Sequence, residues 1–258
     1  MPITTAEIAK NHMGDMAEAK RLIGLAKLAG FDNVKFQAYD RKLINPAHPN
    51  APRYDVAHLT MDQLRELGEY AKENKIGLHC SVFNTSVILP LSFFTRIVKI
   101  PSTFMANDTM IRRCLDRFEE VHISTGFHDF STFLKVARKY ESEIKRIVYY
   151  SCRSEYPATS PRFWRIGEFV QKYGRAGYSD HSVGVDDCFY AHMLGADYIE
   201  KHFNDRKRKR TYETDITEWV CLSNKIKHVL GTSGEDSPTE EELRNFKLYS
   251  LEYIKSDD

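Results

Sequence analysis

Short apolar stretches alternate along the chain with longer amphipathic stretches. The short stretches have the length typical of β-strands, and the longer ones repeat their apolar residues with the period of a helix. The predicted strands are Ile3–Ile8, Asn33–Tyr39, Ile76–Val82, Arg96–Pro101, Glu120–Thr125, Lys145–Cys152, Ala176–Ser179 and Ala196–His202. The predicted helices are Met16–Ala29, Met61–Glu73, Thr85–Phe93, Asn107–Leu115, Ser131–Tyr140, Pro161–Tyr173, Val185–Leu194 and Thr217–Val229.

This order of elements favours one fold class. Strands that alternate with helices, with no linker rich in proline, glycine or serine between them, predict a parallel sheet covered by helices. Closing that sheet produces a (β/α)8 TIM barrel, which we expect here. A doubly wound open sheet is the alternative, but no Gly-x-Gly-x-x-Gly motif follows the first strand. We expect residues 1–230 to form the barrel and the acidic segment 231–258 to form a helical extension packed on it.

Composition narrows the function classes. The chain has 258 residues, of which 42% are hydrophobic and 28% charged, a balance typical of globular proteins. A net charge of +1 supplies no field that would attract nucleic acid or an anionic membrane, so neither is an expected partner. The N-terminus lacks the apolar core of a signal peptide, and the five cysteines show no Cys-x-x-Cys spacing. We therefore expect a soluble protein of the cytoplasm.

The mouth of such a barrel gathers side chains from the C-terminal ends of its strands, where the chemistry of these folds takes place. The polar residues predicted to meet there are Glu7, Asn11, His12, Lys35, Gln37, Ser81, Asn84, Lys99, Ser102, Ser124, Thr125, Arg153, Ser154, Tyr156, Ser179, Asp180, His181, Glu200, Lys201 and His202. Two pairs among them suggest specific chemistry.

The first pair is Lys35 and Lys99, which lie within otherwise apolar strands. A lysine that faces a closed interior pays a large desolvation cost unless an anion lies beside it. With several hydroxyls nearby, a phosphate or carboxylate ligand is the natural partner. Alternatively, each lysine pairs with a glutamate of the barrel such as Glu7.

The second pair is His181 and His202, which end neighbouring strands. Neighbouring strands lie about 5 Å apart, so the two imidazoles could share a divalent ion and leave positions open for water or substrate. Without further context, two histidines favour a structural role over a metal site. The basic run Arg206–Arg210 follows the last strand and predicts either a solvated loop or a lid that contacts an anion.

Seven motifs in this order resemble the sialic acid synthase (N-acetylneuraminate synthase) family, over about residues 5–203. They are AEIAKNHMGD, VKFQAYD, KIPS, HISTGF, SEYPAT, GYSDHSVG and IEKHF. The resemblance implies a (β/α)8 barrel, in agreement with the periodicity. It also implies a transferase of carbohydrate biosynthesis.

The implied reaction condenses phosphoenolpyruvate with the aldehyde of an open-chain N-acylated sugar such as N-acetylmannosamine. The products are a nonulosonic acid, which is a 3-deoxy-2-keto sugar acid, and phosphate released by C–O cleavage. The resemblance further implies a divalent ion, typically Mn²⁺ with Mg²⁺ or Co²⁺ as alternatives, bound by His181 and His202. There it would act as a Lewis acid on the aldehyde. A homodimer is the assembly that the resemblance suggests.

Site residues follow motif by motif from the resemblance. Lys35 and Lys99 would bind phosphoenolpyruvate, and Glu7 would transfer a proton or orient water. Gln37 and Tyr156 would face the acceptor sugar. Hydroxyl groups would assist the lysines, namely those of Ser81, Ser102, Ser124 and Ser179.

The chain also departs from the family pattern. Arg153-Ser154-Glu155 precedes the tyrosine of the sixth strand, which changes an anion or sugar contact at Ser154, and Pro101 replaces a glycine. Glu213 or Asp215 is expected to replace an aspartate that contacts the sugar. The resemblance implies that family members commonly continue into an antifreeze-like domain that supplies an arginine, and we expect this sequence to represent the catalytic barrel without that domain. Arg206–Arg210 or Arg153 is expected to take that role.

Two alternatives stay open from the sequence. A barrel without its lid could bind phosphoenolpyruvate or a phosphorylated sugar without turnover, as a sensor or partner subunit. Another metal-assisted barrel enzyme, such as a sugar aldolase or isomerase, is the second. A Schiff-base aldolase would need one lysine kept neutral by burial.

Overall fold

The computed structural model describes residues 1–231, and within them eight parallel strands close into a barrel in the order β1 to β8. The strands are β1 (Ile3–Ala9), β2 (Asn33–Ala38), β3 (Gly77–Val82), β4 (Ile97–Ile100), β5 (Glu120–Ser124), β6 (Ile147–Cys152), β7 (Gly177–Asp180) and β8 (Tyr198–His202). β8 pairs with β1, so the sheet has no free edge. The predicted fold class is confirmed, and each predicted strand is present with its ends shifted by no more than two residues.

Helices connect the strands. They are α1 (Met16–Ala29), α2 (Ala51–Val56), α3 (Met61–Glu73), α4 (Ile88–Leu91), α5 (Asp108–Leu115), α6 (Phe130–Lys139), α7 (Trp164–Tyr173), α8 (Asp186–Met193) and α9 (Ile216–Gly231). Turns of 3₁₀ helix cover Arg41–Leu43, Thr85–Val87, Ser102–Phe104 and Glu141–Arg146. The side chains of residues 230 and 231 are not described.

The bounds of α1 and α3 agree with the prediction because both helices carry strong local capping signals. The Asp15 side chain accepts hydrogen bonds from two amides of the first turn of α1, and Gly30 ends that helix at a φ of 89°. Thr60 and Gln63 form a reciprocal capping box at the start of α3. The predicted helix Thr85–Phe93 is instead a 3₁₀ turn followed by α4, because Pro90 has no amide hydrogen to bond to the carbonyl four residues earlier and is accommodated only in the first turn of an α-helix.

Alternation along the strands sorts side chains between the barrel interior and the helices. Val34, Phe36, Val98 and Ile199 are buried on the outer face of the sheet, whereas their neighbours in sequence face inward. Strand register then aligns the inward residues across neighbouring strands: Glu7 lies opposite Lys35 on one side and opposite His202 on the other, and Ser179 lies opposite Glu200. The interior is therefore unusually rich in charge.

The chain divides into two compact units, Met1–Ser223 and Asn224–Asp258. The barrel and the site described below belong to the first. The predicted helical extension 231–258 lies outside the described residues, apart from Gly231. Among residues 1–231, no helix combines the length and the apolar character that a membrane crossing requires.

Candidate active site

A cavity of about 400 Å³ opens at the C-terminal ends of the strands. Its lining includes the residues to which the sequence and the resemblance assigned catalysis, metal binding or substrate binding, except Glu213 and the alternatives Asp215 and Arg153. Those lining residues are Glu7, Lys35, Gln37, Ser81, Lys99, Ser102, Ser124, Ser154, Tyr156, Ser179, His181 and His202. Of the other polar residues predicted at the mouth, Asn11 and Glu200 line the cavity, whereas His12, Asn84, Thr125, Asp180 and Lys201 do not. The lining also includes Lys10 and Arg53, which were not predicted there, and Arg210 of the basic run.

Two lysines and two glutamates form the floor of the cavity. Lys35 Nζ lies 2.6 Å from Glu7 Oε2 and 2.7 Å from Glu200 Oε1, and Lys99 Nζ donates to Glu200 Oε2 at 3.0 Å. Ser179 donates its hydroxyl to Glu200 at 2.8 Å. Lys99 also lies over the ring of Tyr150, 3.2 Å from its centroid. Both lysines are thus paired with glutamates, as the alternative interpretation of the sequence expected, although Glu200 is the shared partner.

Burial and charge decide the protonation states on this floor. Desolvation lowers the pKa of Lys35 to about 8, against the attraction of Glu200, and burial also lowers the pKa of Lys99. Burial alone would raise the pKa of Glu200, but the two lysines hold it well below its usual range. Each ammonium carries three N–H groups, so Lys35, with two glutamate partners, keeps one donor, and Lys99, with Glu200 and the ring of Tyr150 as neighbours, also keeps one. These donors remain available to an anionic ligand.

Glu200 was predicted at the mouth of the barrel but was given no role there. It lies two positions before His202 on β8, so strand alternation places both side chains on the inner face. That spacing was a usable signal, because an interior with two lysines requires a carboxylate nearby.

Small polar groups line the wall beside the lysines. Gly126 donates its amide to Ser102 Oγ at 2.9 Å, and Ser102 Oγ lies 3.3 Å from Cys152 Sγ. A Cβ atom added at Gly126 would lie only 2.2 Å from Ser154 Oγ and 2.8 Å from Ser102 Oγ. Glycine therefore lets two hydroxyls and a thiol approach one another, which leaves a compact cradle of hydrogen-bonding groups.

His181 and His202 face each other across the ends of β7 and β8, with ring centroids 5.4 Å apart. His181 Nδ1 donates to the Arg153 carbonyl at 2.5 Å, so its Nε2 carries the lone pair. Burial lowers the pKa of His181 to about 4 and that of His202 well below 6.5. Both imidazoles are therefore neutral at pH 7, as metal ligands must be.

These residues fit a divalent cation with an incomplete protein shell. Among residues 1–231, no set of three or more His, Cys, Asp or Glu side chains is arranged to hold a metal ion. Two imidazoles would leave the other positions to water or substrate, as catalytic sites require. Glu7 lies opposite His202 in the strand register, and its Oε1 is buried without a hydrogen-bond partner. That oxygen is therefore available to a cation or a water bound beside the pair.

The mouth of the cavity differs from the predicted one. Glu213 is buried and accepts from Asn11 at 3.0 Å, from Asn204 at 3.2 Å and from the Arg210 amide at 2.8 Å. Its carboxylate therefore holds the loop after β8 in place and does not line the cavity.

The other expected substitutes also lie elsewhere. Asp215 is buried, pairs with Lys209 and accepts hydrogen bonds from amides of the first turn of α9. Arg153 is paired with Glu155 at 3.2 Å and does not line the cavity. Of the basic run Arg206–Arg210, Arg210 is the member in the lining.

Comparison with known proteins decides the family. A sequence profile described as the NeuB family matches residues 22–219, about three quarters of the chain. The chain belongs to the NeuB family. The expected resemblance to sialic acid synthases is therefore confirmed.

Named members of the NeuB family resemble the chain over most of its length. N,N'-diacetyllegionaminic acid synthase of Campylobacter jejuni is 28% identical over 98% of this chain and 84% of that protein. Human N-acetylneuraminate-9-phosphate synthase is 26% identical over 76% of this chain and 60% of that protein. The crystal structure of N-acetylneuraminic acid synthetase from Leptospira borgpetersenii, in complex with citrate, superposes with a TM-score of 0.83 and 25% identity over 99% of this chain and 92% of that one.

Proposed function

We propose that the protein condenses phosphoenolpyruvate with an open-chain N-acylated aldose to form a sialic-acid-like 3-deoxy-2-keto sugar acid and phosphate. The observation that carries the proposal is the meeting, in one cavity, of two lysine ammonium groups with two neutral imidazoles. Relatives in the NeuB family are named as synthases of legionaminic acid and of N-acetylneuraminate 9-phosphate, which supports a synthase of this kind.

Phosphoenolpyruvate is assigned to the floor and the cradle. The free N–H groups of Lys35 and Lys99 would donate charge-assisted hydrogen bonds to its phosphate or carboxylate oxygens. The hydroxyls of Ser102, Ser124 and Ser154 would complete the shell, and the absence of a Cβ at Gly126 leaves room for it. Because Glu7 and Glu200 already pair with the lysines, the ligand would bind a nearly neutral floor by hydrogen bonds more than by net charge.

The acceptor is assigned to the space between the imidazoles and the mouth. Gln37 Oε1 is buried without a hydrogen-bond partner, so a sugar hydroxyl or amide is a suitable donor for it. Tyr156 lies with its ring centroid 4.2 Å from that of His181 and would form one wall of this subsite. A divalent cation, Mn²⁺ or alternatively Mg²⁺ or Co²⁺, held by His181 and His202 would act as a Lewis acid on the aldehyde oxygen.

The reaction forms one carbon–carbon bond between the two substrates and breaks the bond between the enol carbon and the phosphate ester oxygen. The methylene carbon of phosphoenolpyruvate attacks the aldehyde carbon, and the aldehyde oxygen becomes a hydroxyl. Water adds to the former enol carbon, the bond from that carbon to the phosphate ester oxygen breaks, and the ketone remains as phosphate leaves. Glu7 Oε1, free of other partners, would orient this water and accept its proton.

Cytoplasmic location remains part of the proposal. Cys80, Cys114, Cys152, Cys188 and Cys221 are all free thiols, which fits a reducing compartment.

Phosphate release tests the proposal. The full chain is incubated with phosphoenolpyruvate, MnCl₂ and a panel of N-acylated aldoses, and each component is omitted in turn. We expect release only when all three are present.

K99M should lower kcat/KM for phosphoenolpyruvate roughly tenfold to a hundredfold, because a charge-assisted hydrogen bond is lost. K20M, at a half-buried lysine paired with Glu66 outside the cavity, is the matched control. Thermal stabilisation by phosphoenolpyruvate with no release for any aldose would instead indicate a sensor.

A further inference from the structure

Three cations surround the mouth of the cavity beyond the strand ends. Lys10 directly follows β1, Arg53 lies on α2 in the connection after β2, and Arg210 lies in the loop after β8. Lys35 and Lys99 are buried within strands, whereas Arg210 keeps 42% of its side chain exposed. The cations at the mouth thus form a group separate from the lysines of the floor.

This group carries more positive charge than its neighbours neutralise. Within residues 1–231, no carboxylate pairs with Lys10 or Arg53, and Glu213 pairs with Arg210 at 3.1 Å. Three positive charges therefore face one negative charge. Lys10 Nζ instead lies 3.5 Å from the ring centroid of Tyr54, a contact that supports a cation without neutralising it.

A second observation is that Arg53 lacks hydrogen-bond partners for part of its guanidinium group. Arg53 Nε is buried without a hydrogen-bond partner, and its Nη2 makes one long contact of 3.5 Å to Asn11 Oδ1. Burial, Arg53 and Arg210 lower the pKa of Lys10 to about 8, and burial and Arg210 also lower that of Arg53. Like charges held together at this cost are typical of a site whose ligand is an anion.

We propose that Lys10, Arg53 and Arg210 bind a phosphate at the far end of the acceptor, so that the preferred acceptor is a terminally phosphorylated N-acylated aldose. The inference rests on the proposed function and specifies its second substrate. The aldehyde must reach phosphoenolpyruvate on the floor, so the other end of an open-chain sugar points to the mouth. A dianionic phosphate matches the excess of two positive charges, and the guanidinium of Arg53 can bind two of its oxygens at once.

Paired acceptors test this specificity directly. N-acetylmannosamine and its 6-phosphate are compared on the full chain with Mn²⁺, and consumption of phosphoenolpyruvate is followed. We expect kcat/KM to be at least about tenfold higher for the phosphate ester. R53Q should lower kcat/KM for the ester roughly tenfold to a hundredfold, and should change that for the unphosphorylated sugar by less than about threefold. R41Q is the control, because Arg41 pairs with Asp55 on the same connection and does not line the cavity.

Calorimetry keeps the two proposals distinguishable. Each acceptor is titrated into metal-free protein that is saturated with phosphoenolpyruvate, so the floor lysines are occupied. Tighter binding of the 6-phosphate, weakened by R53Q and K10M, supports the site even if no turnover occurs, in which case only the proposed function fails. Equal binding of both sugars, or binding of the ester that both variants leave unchanged, overturns the site. The corresponding uronate, which carries a carboxylate in place of the phosphate, shows which anion the site prefers. Tighter binding of the uronate than of the phosphate ester overturns the preference for phosphate.

Discussion

Lys201 and Asp180 form an ion pair of 2.6 Å in which neither side chain is exposed to solvent. They lie opposite each other on β8 and β7, and each immediately precedes a histidine of the proposed metal site. Lys201 also donates to the Ser182 carbonyl at 2.7 Å, and Asp180 accepts from the Ser182 amide at 2.8 Å. The pair therefore ties together the two strand ends that carry His181 and His202.

Removing Lys201 should destabilise the protein strongly. K201M leaves the Asp180 carboxylate buried without a cation, which typically costs about 3–5 kcal/mol of unfolding free energy. D180N/K201M should recover more than half of that loss, because no lone charge remains while the amide oxygen still accepts from Ser182. Urea unfolding measures both effects. R65M removes the exposed partner of Asp62 and should cost less than about 1 kcal/mol. A K201M variant as stable as R65M would contradict the argument.

Gly126 offers a test of the cradle. G126A would place a methyl group against the hydroxyls of Ser102 and Ser154, so we expect KM for phosphoenolpyruvate to rise about tenfold or more. G24A is the control, because a Cβ there meets nothing within 4 Å and alanine is the better helix former in α1 by about 1 kcal/mol. Steady-state kinetics measures the change in KM, and thermal unfolding of the same variants shows whether a change in stability accompanies it. An unchanged KM in G126A would contradict the assignment of phosphoenolpyruvate to the cradle.

Stability should fall as the pH falls, in part through His12. Burial lowers the pKa of His12 to about 4 in the folded protein, against about 6.5 when unfolded. The neutral folded ring therefore contributes stability that is present above pH 6.5 and is lost as the pH falls towards 4. For His12 alone the loss between pH 7.5 and pH 5 is about 2 kcal/mol.

The matched variant is H12N, whose amide oxygen can still accept from the Gly14 amide as His12 Nδ1 does at 3.0 Å. Urea unfolding at the two pH values should show a smaller pH-dependent loss in H12N than in the native protein. Equal losses in the two proteins would show that His12 titrates normally when folded.

Manganese binding should depend on both facing imidazoles. Equilibrium dialysis of Mn²⁺ should show affinity weakened about tenfold or more in H181A and in H202A, because each removes one of two protein ligands. H192N is the control: that ring lies on α8, outside the cavity, and contacts the Ala196 carbonyl. Treatment with a chelator should abolish phosphate release, and added Mn²⁺ should restore it. Unaltered Mn²⁺ affinity in both alanine variants would exclude the site.

Local signals made the barrel and most of its mouth predictable. The predicted strands carried Lys35, Lys99 and His202, with His181 just beyond a strand end, and the Thr60–Gln63 capping box lies at the start of a helix whose bounds were predicted correctly. Such features depend on residues within a few positions of one another, so the sequence displays them directly.

Features that depend on distant contacts were not predicted. α2 spans six residues with no amphipathic repeat, and Tyr39, which donates its hydroxyl to the Tyr54 carbonyl, helps to position it. Arg53 reaches the mouth only because of this helix. Glu213 was expected in the cavity, but its carboxylate accepts a hydrogen bond from Asn11, which lies 202 positions away in the chain. This contact holds the carboxylate outside the lining. Neither contact has a local signature.

Phosphoenolpyruvate labelled with heavy oxygen at the bridge between its enol carbon and phosphorus provides the most direct measurement of the central claim. The labelled compound is incubated with the full chain, Mn²⁺ and the acceptor aldoses, and both products are analysed by mass spectrometry. We predict a 3-deoxy-2-keto sugar acid of the combined carbon skeleton, with the label in the released phosphate. Label retained in the organic product, or no such acid with any acceptor, would contradict the account.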